Sequence, residues 1–257
     1  MITTHWITQG KGGVGKSLIA SLLAQYIREG FITRGMAGKA DELVYCFDTD
    51  PVNATLAGYE ALNVNSIHIT DEQGIQVDER RFDELIEKLI ALPDGSHAII
   101  DNGASSFLSL CNYLKTSNVF ELLQANGCRV LLHTVVTGGQ AILDTLKGLK
   151  SLVLNFAGQS IVVWQNTYFG PVVLNGVEIE QMRIWQDHIN SIEALITIPW
   201  VNQQTTGVDL RELFSRRRTF GEVANDPECN LMARHRLAMF WRAMKLELDN
   251  HLVLFDF

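Results

Sequence analysis

Nine consecutive residues have the types and spacing to hold a phosphate: Gln9-Gly10-Lys11-Gly12-Gly13-Val14-Gly15-Lys16-Ser17. Gly10, Gly15, Lys16 and Ser17 satisfy the eight-residue phosphate-loop pattern. Glycine lets the backbone wrap an anion with its N–H groups turned inward, and a helix starting behind the loop adds positive potential. Lys16 would reach the β- and γ-phosphates, and Ser17 would offer its hydroxyl to Mg²⁺. Gly12, Gly13, Val14 and Leu18 complete the stretch expected to touch ATP or ADP. Three aspartates stand at the ends of apolar runs further on, Asp48, Asp50 and Asp101. Asp101 suits a Mg²⁺ held through water, while of Asp48 and Asp50 one can serve the metal shell and the other face the γ-phosphate. Lys11 is a second lysine inside the loop and, taken alone, reads equally well as a surface lysine.

Elements that would position these residues are legible around them. His5 to Thr8 reads as a short strand, and Leu18 to Arg28 as a helix that Gly30 ends in the left-handed conformation. Arg28 to Glu42 is Gly-rich and predicts an exposed loop. Buried strands are expected at Leu43–Phe47, Ala98–Ile100, Arg129–Val136, Ile161–Trp164 and Glu193–Ile198. Helices are expected at Arg81–Leu92, Gln140–Leu152, Val208–Arg218 and Leu231–Asp249, followed by an apolar tail from Leu252 to Phe257. Val172–Leu174, Asn175-Gly176 and Val177–Ile179 form a hairpin signal, because Asn-Gly suits a type I′ turn. Alternating strands and helices predict an α/β fold with a mostly parallel, twisted sheet covered by helices on both faces. Ligands on such sheets bind beyond the carboxyl ends of the strands, where the phosphate loop, Asp48–Asp50, Asp101, Thr137–Gln140 and Asn166 all fall.

The 257 residues are expected to form one domain, with a helical segment from about 208 to 257 packed on it. Apolar residues make up 47% and charged residues 19%, a globular balance. No run reaches the length of a membrane span and the first residues lack a signal peptide's order, so a cytoplasmic location is expected. Four cysteines without a Cys-x-x-Cys pair read as reduced thiols. The net charge of −8 argues against a DNA-coating surface. Eight Lys/Arg against four Asp/Glu between Arg211 and Lys245 leave a locally basic segment on an acidic body.

Lys-Gly-Gly-Val-Gly-Lys-Ser together with Asp-Thr-Asp-Pro-Val-Asn-Ala-Thr (48–55) resembles the ParA/MinD family of P-loop ATPases with a deviant Walker A loop. The resemblance implies that Lys11 reaches a partner subunit's nucleotide, that Asp50 orients the hydrolytic water, and that Asn166 recognises adenine. Asp-Asn-Gly-Ala-Ser-Ser-Phe (101–107), His-Thr-Val-Val-Thr-Gly-Gly-Gln-Ala (133–141) and Val-Trp-Gln-Asn (163–166) extend it toward the TraL-type conjugal transfer proteins of plasmids. The chain departs from the ParA pattern at two switch loops, with Asp-Asn-Gly for Asp-x-Pro-Pro and Asp-Pro-Val-Asn for Asp-Pro-Gln-Gly-Asn.

What the resemblance implies is a slow Mg²⁺-dependent ATPase switch, a homodimer with ATP, working with a protein partner in the transfer machinery. A DNA- or membrane-positioning ATPase is the alternative, using Arg216, Arg217 and Arg218 on phosphates or the tail on lipid. A redox protein with a bridging iron–sulfur cluster would draw on Cys111 and Cys128, and an ATP-dependent ligase shares the fold.

Overall fold

The computed structural model describes residues 1–74 and 76–255. The tail's last two residues, Asp256 and Phe257, lie outside the described residues. In chain order the strands are β1 (Ile2–Ile7), β2 (Val44–Asp48), β3 (Val64–Ser66), β4 (His97–Asp101), β5 (Cys128–Thr137), β6 (Ser160–Asn166), β7 (Val173–Leu174), β8 (Val177–Glu178) and β9 (Ile192–Ile198). The helices are α1 (Lys16–Thr33), α2 (Ala37–Leu43), α3 (Phe82–Ile90), α4 (Phe107–Thr116), α5 (Val119–Ala125), α6 (Ile142–Asn155), α7 (Arg183–Gln186), α8 (Thr206–Ser215), α9 (Phe220–Ala224) and α10 (Leu231–Asp249). Seven strands form one parallel sheet in the order β3-β2-β4-β1-β5-β6-β9. β7 and β8 form a separate antiparallel hairpin, turned by Asn175 and Gly176, both at positive φ.

Alternation along the strands explains why helices cover both faces. Ile7, Ile99, Leu131 and Trp164 point into a core closed by α1, α8, α9 and α10. Their chain neighbours Trp6, Ile100, Leu132 and Val163 point the other way, onto α3 through α6. A strand buried on both sides reads as a near-continuous apolar run, as in Ala98–Ile100 and Ile161–Trp164, while β1 interrupts it with Thr3, Thr4 and His5, all buried.

Two expectations about the first helix need correction. α1 runs through Gly30 to Thr33, because the next residue, Phe31, is buried and repays the cost of about 1 kcal/mol of a mid-helix glycine. The left-handed glycine that ends it is Gly35, at φ 75, where Met36 N–H donates to the Phe31 carbonyl. The segment expected to be an exposed loop holds α2, anchored by buried Ala40. Its glycine content signalled a loop, and one apolar anchor outweighed it.

On the α1 face, three imidazoles run across the sheet. Trp164 Nε1–H donates to His133 Nδ1 (2.9 Å), His133 Nε2 meets His5 Nδ1 (3.0 Å), and His5 Nε2 meets His97 Nδ1 (3.2 Å). An indole N–H can only donate, so His133 Nδ1 must accept. Neutral His133 then carries its proton on Nε2, and the same logic passes to His5 and His97. Burial holds His5 well below its ordinary range and His133 down to about 3, so those two stay neutral.

Candidate functional site

The phosphate loop follows the end of β1 and leads into α1, with Gly13 at φ 73 and Gly15 at φ 105. Those left-handed positions accept glycine at little cost and turn successive N–H groups toward one concavity. Gly10 is tight for a different reason: a Cβ there would lie 3.0 Å from the Phe107 ring of α4.

Beyond the loop lies a polar cleft of about 600 Å³, bordered by Gly12, Gly13, Gly15, Lys16, Ser17, Asp50, Thr55, Tyr59 and Ser105. It meets a second, apolar cavity of about 300 Å³ at Gly13, Gly15, Leu18 and Phe214. Tyr168, Phe169, Trp200, Ile198 and Phe240 line that second space. A polar cleft wide enough for phosphates beside an aromatic cavity sized for a base suits a nucleotide.

Lys16 is buried, and its ammonium folds back to the Lys11 carbonyl at 3.4 Å. Burial lowers its pKa, opposed by Asp101 and Asp50. Asp101 ends β4 and is 1% exposed, and neither of its carboxylate oxygens finds a hydrogen-bond donor among the described residues. Burial pushes it up to about 7; the neighbouring Ser17 hydroxyl favours the ionised form, and Asp48 opposes it. A buried carboxylate without donors beside a serine hydroxyl is a set of hard oxygen ligands, which fits Mg²⁺.

Residues 48 and 50 would share one face of a continued strand, but β2 stops at Asp48. Asp48 accepts from the N–H groups of Asp50 and Ala57, both at 2.9 Å, and so shapes the loop that follows. Asp50 accepts from Val52 and Asn53 through Oδ1, and its carboxylate lies against Gly103. Lys11 is exposed and pairs with Asp144 of α6 at 2.9 Å. That pairing holds Asp144 below the usual carboxylate range.

Asn166, at the end of β6, has its amide engaged within the chain. Nδ2 donates to the Val14 carbonyl (2.9 Å) and Oδ1 accepts from Tyr168 N–H (3.1 Å). It therefore braces the phosphate loop from the side of the apolar cavity. Arg216 pairs with Glu212 and Arg218 with Asp226, both bordering one cavity, while Arg217 lies on Gly58 from a left-handed backbone at φ 51. Cys111 and Cys128 are buried in the core under α4 and α5, where burial raises both thiols, Cys111 to about 12. No helix of the described residues is long and apolar enough to cross a membrane.

Sequence reasoning missed Asn102, Thr49 and Ser106, which join the two acidic loops, and the aromatic wall formed by Tyr168, Trp200 and Phe214. The wall comes from two loops and a helix spread from residue 168 to residue 214, so no local spacing announces it.

No family model matches the chain. Two curated relatives from Escherichia coli, each named Protein TraL, are 42% and 40% identical over 255 residues, covering 99% of this chain and all of theirs. Among solved structures, the MinC:MinD cell division protein complex of Aquifex aeolicus gives a TM-score of 0.48 at 14% identity, covering 95% of each chain. The MinD cell division protein of the same organism gives 0.47 at 15% identity, covering 95% of this chain and 96% of that one.

Proposed function

The chain belongs to the TraL family, and from that premise we propose that it is a Mg²⁺-dependent ATPase that acts as a slow switch in conjugative plasmid transfer. The observation that carries the enzymatic part is the Asp101 carboxylate, buried with only the Ser17 hydroxyl and the Lys16 ammonium near it to favour its ionised form. A carboxyl so poorly served beside a phosphate loop points to a ligand that compensates it.

In this reading the loop N–H groups and Lys16 bind the phosphates, and the base lies in the cavity walled by Tyr168 and Trp200. Asn166 braces that cavity. Ser17 and Asp101 would hold Mg²⁺, with Asp48 fixing the loop behind them; the ion would neutralise charge on the β- and γ-phosphates. Asp50 orients the attacking water and accepts its proton. Lys11 supplies charge to the partner subunit's nucleotide, so ATP brings two copies together and hydrolysis releases them. A cytoplasmic site of action and a protein partner in the transfer machinery complete the proposal.

Thermal shift tests the site. A ligand at a hundred times its dissociation constant stabilises by about 2.7 kcal/mol, so MgATP should raise the melting temperature of the wild type clearly. Lys16→Ala should lose most of that shift, and Asp50→Ala should keep it while hydrolysing at least about a hundredfold more slowly. A wild type whose melting is indifferent to MgATP overturns the assignment.

A further inference from the structure

Asn102 follows the Asp101 carboxylate, just before Gly103-Ala104, which stand in place of the two prolines of the ParA pattern. It is 1% exposed, and its Oδ1 accepts from two hydroxyls, Thr49 at 3.0 Å and Ser106 at 3.1 Å. Nδ2 donates to the Gly103 carbonyl at 2.9 Å, and the backbone N–H donates to Ile7 at the end of β1. One buried amide thus touches the loop after β2, the first residues before α4 and the strand that carries the phosphate loop. Thr49 N–H also donates to the Asp101 carbonyl at 2.9 Å, so the two acidic loops run side by side.

Gly103 completes the arrangement. A Cβ there would fall 2.7 Å from both Cγ and Oδ1 of Asp50, so a residue with a side chain could not let that carboxylate in. We propose that Asn102 and Gly103 form the seat of Asp50, with Asn102 as the positioning residue that clamps the two loops into one unit. Asp50 has few constraints of its own. Its Oδ1 receives N–H groups from Val52 and Asn53 in its own exposed loop, which would move with it. Thr49, next to it, is tied to the end of β4 by its N–H on the Asp101 carbonyl, and its hydroxyl on Asn102 Oδ1 extends that tie to the loop before α4. An amide suits this place: an aspartate would add a fourth carboxylate beside Asp48, Asp50 and Asp101, and leucine would remove the acceptor the two hydroxyls share, leaving Thr49 only the Asp101 carbonyl and Ser106 only the Gly103 carbonyl, each at 3.2 Å.

This inference rests on the ATPase reading, and the experiment separates the two. Asn102→Leu and Thr49→Val should keep the MgATP thermal shift and KM while kcat falls about ten- to a hundredfold; Thr49→Ser, which retains the hydroxyl, should restore turnover. Combined with Asp50→Ala in single-turnover assays, Asn102→Leu should cause no further loss, because it acts through that carboxylate. Hydrogen exchange without nucleotide supplies the second readout: the amides of Thr49 and Asp50, which bond the Asp101 carbonyl and the Asp48 carboxylate, should lose protection at least tenfold in Asn102→Leu. Losses that add to that of Asp50→Ala, unchanged turnover, or unchanged protection of those amides would overturn the clamp. Failure of the wild type to respond to MgATP, with the exchange result intact, would overturn the ATPase reading and leave the clamp standing.

Discussion

Asp101 holds a proton more tightly in the folded protein than in the unfolded chain, because burial raises it from 3.8 to about 7. The stability this adds is complete below about pH 4 and is lost as pH rises through about 7. Asp101→Asn removes the dependence. Measured without Mg²⁺, the variant should therefore gain on the order of 2–4 kcal/mol relative to wild type between pH 4 and pH 7. Melting curves of both proteins across that range check it, and parallel curves would show that the carboxylate is stabilised by something other than a ligand. His5 and His133 act in the opposite sense. Both are held below 6.5, so the stability of the imidazole row is intact above that pH and falls as pH drops toward about 3. The comparison between variant and wild type cancels this shared term.

At the scale of elements, the end of α1 offers a test of what the glycines do. Gly35 takes φ 75 in open space, so Gly35→Ala should cost about 1 kcal/mol through backbone strain alone. Phe31→Ala, in the last turn of the same helix, should cost about 3–5 kcal/mol because it empties a packed site beside His97. Urea titration measures both, and a reversed order would mean that Gly30 rather than Phe31 decides where the helix stops. The contrast also explains how far the sequence could be read. β2, β4, β5, β6 and β9 were legible because each carries an apolar run, the end of β1 because Trp6 and Ile7 precede the phosphate loop, and α10 because its periodicity spans its whole length. The short strand β3, and α4 and α5, were missed, since three residues or a single Ser-rich start give too little pattern. At the site, Lys16, Ser17 and Asp101 could be placed from spacing along one chain segment each. The bond from Asn166 to Val14, the pairing of Lys11 with Asp144 and the seat of Asp50 join residues from about 50 to more than 130 apart, and no local spacing encodes them.

For the whole molecule, the proposed ATP-dependent dimer turns on Lys11. Its ammonium is held by Asp144 on its own subunit, so pairing across a two-fold axis requires that this exposed contact exchange for a phosphate. In an Asp50→Ala background, ATP should give a dimer by light scattering, and adding Lys11→Gln should abolish it while leaving the MgATP thermal shift nearly intact. A dimer that survives Lys11→Gln, or a monomer at saturating ATP, returns Lys11 to the surface. The position of β1 has a further consequence, in time rather than in space. Residues 2–7 pair only with β4 and β5, whose first residues are His97 and Cys128. During synthesis at about 5–20 residues per second, roughly 6–24 s pass before β5 begins to emerge. Until β4 follows, Trp6 and Ile7 have no strand to pair with, and until β5 follows the strand that carries the phosphate loop lacks its second neighbour, so nucleotide cannot assist the early steps. The growing chain must be kept from aggregating by other means, and ATP can stabilise only a fold that is already more than half made.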